Sequence, residues 1–165
     1  MPIQRQHTVA FTGHRTYAGE AQALLCQLIR RLAEEGYTTF LSGMAAGFDL
    51  AAAEAVVALR NEGLAIQLVA VIPFASQSAS FAGADRARFR QIVAEADEVI
   101  LLADKYERGC YQRRNDFLVD HAAALVAWYN GSRGGTQYTF LRAMKRGLAL
   151  HNLSPAILPD PRLVE

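Results

Sequence analysis

Ser42-Gly43-Met44-Ala45-Ala46-Gly47-Phe48-Asp49 stands between an apolar, strand-like run, Thr38 to Leu41, and an alanine-rich helical stretch, Leu50 to Leu59. A strand, a tight glycine turn and a helix start, in that order, make an anion site. Glycine lets the backbone come close to a ligand, and the unpaired N–H groups of a first helical turn point at it. Two further runs have the same character: Thr12-Gly13-His14-Arg15, and Asn130-Gly131-Ser132-Arg133-Gly134-Gly135-Thr136. Each follows an apolar strand. A parallel sheet gathers its strand C-termini at one edge, so three such turns predict one shared pocket.

Outward from these turns the signals alternate. Thr8 to Phe11, Thr38 to Leu41, Ile66 to Ile72, Glu98 to Ala103 and Leu125 to Tyr129 read as strands. Gly19 to Gly36, Leu50 to Glu62, a segment capped by Asp85, Asp116 to Ala123 and Thr136 to Leu150 read as helices, several of them stopped by glycine. Pro155 to Leu158, bracketed by prolines, reads as a closing edge strand. Five βα units with right-handed crossovers predict an α/β, Rossmann-like three-layer sandwich: a mostly parallel sheet of about six strands with helices on both faces. Residues 1–165 read as a single domain, with no linker and no longer repeat.

Composition narrows the partners. Hydrophobic residues make up 52% and charged residues 20%, which argues against disorder. A net charge of +1 weighs against nucleic acid as a partner while permitting a local basic patch. No apolar run approaches the ~20 residues of a membrane helix, and Met1 to His7 is polar, so the expected location is the cytoplasm. Cys26 and Cys110 lie in no metal spacing; Cys26 reads as a core residue and Cys110 as an accessible loop thiol. No metal and no cofactor are expected.

The candidate ligand-binding residues follow from the turns. Gly13, His14 and Arg15 form either a plain strand exit with Arg15 and His14 facing solvent, or a turn in which Arg15 forks onto a phosphate or carboxylate and His14 donates a hydrogen bond or exchanges a proton. Ser42, Gly43, Met44 and Gly47 shape the second turn, where Asp49 either caps the helix or binds sugar hydroxyls. Glu54 either faces solvent or points to the pocket mouth. Pro73 and Phe74, with Gln77, end the third strand and offer either a ring to stack on a base or a lid over the core. Arg114, Asn115 and Asp120 suit a phosphate, a base and a ribose, or else form a solvated helix start with Asn115 or Asp116 as its cap. Asn130, Gly131, Gly134, Gly135 and Thr136 form a phosphate cradle without the lysine of a nucleotide-hydrolysing P-loop. Neither the dinucleotide fingerprint nor a readable catalytic pair is present.

Taken in order, the Thr12 to Arg15 run, Ser42 to Glu54, Pro73-Phe74 with Gln77, Arg114-Asn115 with Val119-Asp120, and Tyr129-Asn130-Gly131 with Gly134-Gly135-Thr136 resemble the YpsA-like family of the SLOG superfamily. That superfamily of Rossmann-like domains includes DNA-processing protein A and the Lonely guy nucleotide hydrolases. The resemblance implies a pocket for a nucleotide or nucleotide-derived ligand at the strand ends. The Lonely guy run P-G-G-x-G-T-x-x-E carries a glutamate for N-glycosidic cleavage; here Thr139 stands at that position and Asn130 where proline is usual. The expectation is a ligand-binding sensor or regulatory module. The alternatives are an N-glycosidase or base transferase using Glu54, Asp49 or Asp120, and a single-stranded nucleic-acid binder. A homo-oligomer fits a small α/β domain with exposed helices.

Overall fold

Residues 3–155 are described by a computed structural model. The strands are β1 (Thr8–Gly13), β2 (Thr39–Ser42), β3 (Gln67–Ile72), β4 (Glu98–Leu101), β5 (Ala124–Trp128) and β6 (Ala149–Asn152). The helices are α1 (Gln22–Glu34), α2 (Phe48–Asn61), α3 (Gly83–Glu95), α4 (Cys110–Asp120) and α5 (Gly135–Lys145). All strand pairs are parallel, in the order β4-β3-β2-β1-β5-β6. The chain steps outward from β1 to β4, then returns to the other side of β1. Right-handed crossovers in opposite directions must place their helices on opposite faces. The α/β, Rossmann-like sandwich expected from the alternation is therefore the architecture observed.

The period-2 strand pattern divides two cores. Val9, Phe11, Phe40, Leu68 and Ala70 face α1, α2 and α3, while Ala10, Leu41, Val69, Leu125 and Ala127 face α4 and α5. On the first face Phe11 stacks on Phe40 at 5.9 Å, and Phe48 meets Phe11 edge-on at 6.3 Å. Leu25, Leu28, Ile29 and Leu32 form the buried stripe of α1. Ala51, Ala52, Ala53 and Ala55 are all buried in α2, whose small side chains let it sit between α1, α3 and the sheet.

Several boundaries differ from the sequence reading. The fourth helix starts at Cys110, six positions before Asp116, because Gly109 takes a left-handed φ of 83° and turns the chain into it. Asn115 and Asp116 thus lie inside the helix and cap nothing, and Cys110 is buried rather than accessible. Cys26 is only partly buried. Helix α3 begins at Gly83, so Asp85 sits in its first turn and pairs with Arg88 at 3.1 Å instead of capping. The last helix stops at Lys145; Gly147, at φ 78°, releases the chain into β6. Phe140 and Ala143 face inward, whereas Met144 is exposed. The closing strand expected at Pro155 to Leu158 lies, apart from Pro155, outside the described residues.

Candidate functional site

The chain reverses its direction of travel at β1, and a crevice opens there between the C-terminal ends of β1 and β5. The three glycine turns meet at this edge. Their meeting depends on close approaches that a Cβ would prevent. A Cβ on Gly13 would lie 2.4 Å from the Phe48 side chain, and one on Gly47 would lie 2.5 Å from the Arg15 carbonyl oxygen. The first and second turns therefore interlock, each passing over a glycine of the other. The Phe48 N–H completes the join by donating to the His14 carbonyl at 3.3 Å.

His14 also ties the first turn to the third. Its Nε2 accepts the Asn130 N–H at 3.1 Å, which requires that nitrogen to be unprotonated. Burial lowers the His14 pKa from its ordinary value, partly opposed by the Asn130 side chain. Asn130 Oδ1 accepts the Ser132 N–H and hydroxyl at 3.0 and 2.6 Å, shaping the turn that leads through Gly131 and Gly134 into α5. His14 thus joins the first and third turns from the cleft wall, with its Nε2 held by the scaffold.

The second turn is wound tightly around Asp49. Met44 is fully buried with φ 62°, a left-handed conformation uncommon outside glycine. Ser42 holds it there: the Ser42 Oγ accepts the Met44 N–H at 3.2 Å and donates to the Asp49 carbonyl at 2.9 Å. The Ala45 N–H donates to Asp49 Oδ2 at 3.3 Å, while Oδ1, buried, has no partner among the described residues. Helix α2 starts at Phe48 without a side-chain cap, so Asp49 serves the preceding loop. Burial pushes the Asp49 carboxyl up to about 6, against the opposing pull of Arg114, the Ala45 N–H and Arg15.

Arg114 rises into this arrangement from α4. It is 5% exposed. Its Nη1 donates to the Gly43 carbonyl and its Nε to Asn115 Oδ1 at 2.9 Å. No hydrogen bond engages Nη2 among the described residues. The guanidinium reaches Gly43 because that residue lacks a Cβ, which would stand 2.8 Å from Arg114 Cδ and Nε. Burial lowers the Arg114 pKa, and Asp49 opposes the shift. The guanidinium carbon lies 5.9 Å from the centroid of the Tyr111 ring.

These residues line a cavity of about 200 Å³ formed by Thr12, Gly13, His14, Arg15, Ala45, Asp49, Tyr111, Arg114, Asn115, Gly135 and Thr136. A second lobe, also about 200 Å³, shares Arg15, Ala45 and Tyr111 and continues to Gln77, Ser80 and Asp85. A larger cavity of about 760 Å³ runs along the outer side of α5, but of the expected residues it touches only Gly134. The two-lobed cleft is the candidate site, because it concentrates the buried charge.

Most of the expected residues thus converge. Two point elsewhere: Glu54 accepts two guanidinium donors of Arg88, at 2.5 and 3.1 Å, tying α2 to α3, and Asp120 pairs with Arg142 and Arg146 at 3.1 and 3.2 Å between α4 and α5. Pro73 and Phe74 are buried, and Phe74 supports Tyr111 edge-on at 5.6 Å. Thr139 donates its hydroxyl to the Gly135 carbonyl at 2.9 Å. Tyr111 and Ala45 were absent from the expected set. Once α4 begins at Cys110, Tyr111 precedes Arg114 by one turn on the same face, and that spacing is the signal an Asp116 start conceals. Among the described residues no cluster of His, Cys, Asp and Glu has a metal-binding arrangement, and no helix is long and apolar enough to cross a membrane.

The YpsA family model, described as the YspA SLOG family, matches residues 10–157, and the chain belongs to that family. It is 29% identical over 126 residues to the SPbeta prophage-derived protein YoqJ of Bacillus subtilis, covering 69% of this chain and 74% of that protein. It is 31% identical over 122 residues to the UPF0398 protein BH1768 of Halalkalibacterium halodurans, covering 73% of this chain and 65% of the relative. In fold it is similar to DNA processing protein A of Helicobacter pylori, described for its single-stranded DNA binding mode, with a TM-score of 0.66 at 18% identity. That match covers 88% of this chain and 64% of the other.

Proposed function

We propose that this member of the YspA SLOG family binds a nucleotide or nucleotide-derived ligand in the cleft at the β1, β2 and β5 ends, as a sensor or regulatory module. The observation that carries the reading is Arg114. A guanidinium this buried, with two nitrogens bonded to the protein and the third without a partner among the described residues, suits an anion that completes its fork. Arg15 stands at the rim of both lobes, and the α5 N-terminus brings Gly135 and Thr136 to the same wall. The phosphate sits among these groups, and Asp49 Oδ1 accepts a ligand hydroxyl.

Calorimetric or thermal-shift titration with nucleotides, dinucleotides and ADP-ribose derivatives tests the reading. Binding with Kd below ~1 mM for at least one of them is expected; none below that limit overturns the proposal. Mobility shift of single-stranded DNA at low salt, without binding of mononucleotides, assigns the cleft to a polymer instead.

Asp49 favours a second reading, N-glycosidic hydrolysis. A carboxyl with its pKa raised to about 6 is suited to general acid–base work near neutral pH. Here it is the carboxyl within the cleft's first lobe, since Glu54 and Asp120 are engaged in ion pairs. Free base appearing when nucleoside monophosphates are incubated with the protein supports this reading; an unchanged substrate pool sinks it.

A further inference from the structure

The second lobe differs in chemistry from the first. The first sets Arg15 and Arg114 around one carboxyl; the second shares Arg15 and adds Gln77, Ser80 and Asp85, which carry acceptors. Asp85 is already taken by Arg88. Gln77 is not satisfied in the same way. It is 2% exposed, and its Nε2 donates to the Gly43 carbonyl at 3.2 Å. The same carbonyl receives Arg114 Nη1. A flipped amide would set its oxygen against that carbonyl oxygen, so the orientation is settled by the bond itself. Oε1 is thus a fixed acceptor, and it has no donor among the described residues. Leaving such an atom unpaired is unfavourable, and a ligand N–H relieves it.

The wall between the lobes is aromatic. Tyr111 lines both, supported edge-on by Phe74, with Tyr106 at 6.3 Å. A phosphate in the first lobe therefore places the remainder of a nucleotide alongside a ring that stacks on a base.

We infer that the second lobe receives the nucleobase and that Gln77 Oε1 accepts a hydrogen bond from an exocyclic amino group on it. This rests on the nucleotide reading above. Oε1 is shielded from water in the free protein, so contact requires the lobe wall to open around it while the Nε2 bond to the Gly43 carbonyl stays in place. An amino group supplies the donor. An oxo group in its place sets oxygen against oxygen, so the site discriminates by chemistry as well as by shape.

Calorimetry on the intact protein with three matched pairs, AMP and IMP, GMP and IMP, CMP and UMP, provides the test. At least one amino-bearing member binds about tenfold or more tightly than its partner, as expected for one hydrogen bond whose loss leaves a buried acceptor unpaired. In a folded Gln77→Met variant the two members of that pair bind alike, at the weaker level. Agreement within twofold for all three pairs in the unaltered protein overturns the inference and leaves the nucleotide reading standing. Failure of every nucleotide to bind removes both. A preference that survives in folded Gln77→Met removes the role of Gln77.

Discussion

Replacing Gly43 with alanine separates the anion site from the fold. The added Cβ would stand 2.8 Å from Arg114 Cδ and Nε and 2.9 Å from Cζ. These distances are too short for any real Cβ, and the φ of Gly43 is not in the left-handed range, so the backbone itself accepts alanine. The guanidinium yields instead. It moves off the Gly43 carbonyl and out of register with the cleft, while Asp49 loses the cation that opposes its raised pKa. Overpacking of this kind costs roughly 1–3 kcal/mol. For a chain of this size that corresponds to a fall in Tm of roughly 2–12 °C. Affinity suffers separately. A hydrogen bond to a charged group contributes about 1.5–3 kcal/mol, so misplacing Arg114 weakens nucleotide binding roughly tenfold to 150-fold. Thermal unfolding gives the first quantity and calorimetric titration with the tightest nucleotide gives the second. A folded Gly43→Ala protein that binds that nucleotide as the unaltered protein does would refute the placement of the anion on Arg114.

Two further outcomes follow from the same geometry. Gly47→Ala meets backbone rather than a movable side chain, 2.5 Å from the Arg15 carbonyl oxygen, and does so at φ 85°. It should lower Tm further than Gly43→Ala, because left-handed strain of about 1–2 kcal/mol adds to the overlap; an equal or smaller fall contradicts the interlock of the first two turns. For Asp49, the folded carboxyl titrates at about 6 against 3.8 when unfolded, so the native state binds the extra proton between those values. Its contribution to stability is present below pH ~4 and lost as pH rises through about 6, by up to ~3 kcal/mol. Urea unfolding of the Asp49→Asn variant should show that loss removed, so the variant gains on the unaltered protein between pH 4 and 7; a difference independent of pH rejects the buried-carboxyl assignment.

The glycine turns were legible because their requirements are local. Gly43, Gly47, Gly131 and Gly134 follow apolar runs and precede helical periodicity, and strand C-termini in a parallel sheet share an edge whatever the side chains do. The start of α4 was harder to read. Its first residues, Cys110 to Arg114, are polar and aromatic without an apolar stripe, and the left-handed turn at Gly109 gives little sequence signal. The end of α5 was misread for a related reason: Leu148 continues the helical spacing but is buried after the helix has stopped, on the way into β6. Glu54 and Asp120 have the residue type a site needs, yet the packing of α2 on α3 and of α4 on α5 places an arginine opposite each.

The order of strands, turns and helices, and with it the location of the cleft, was determined by sequence alone, since hydrophobic period and glycine placement act over a few neighbouring residues. Which charges face the cleft was decided only by the tertiary structure. Arg114 and Gly43 are 71 positions apart and Gln77 and Gly43 are 34 apart, yet all three meet at one carbonyl oxygen. That meeting depends on a missing Cβ, a helix that begins just after Gly109 and a chain that reverses its direction of travel across the sheet at β1. No local pattern encodes such a coincidence, because the free energy of a buried charge belongs to everything packed around it.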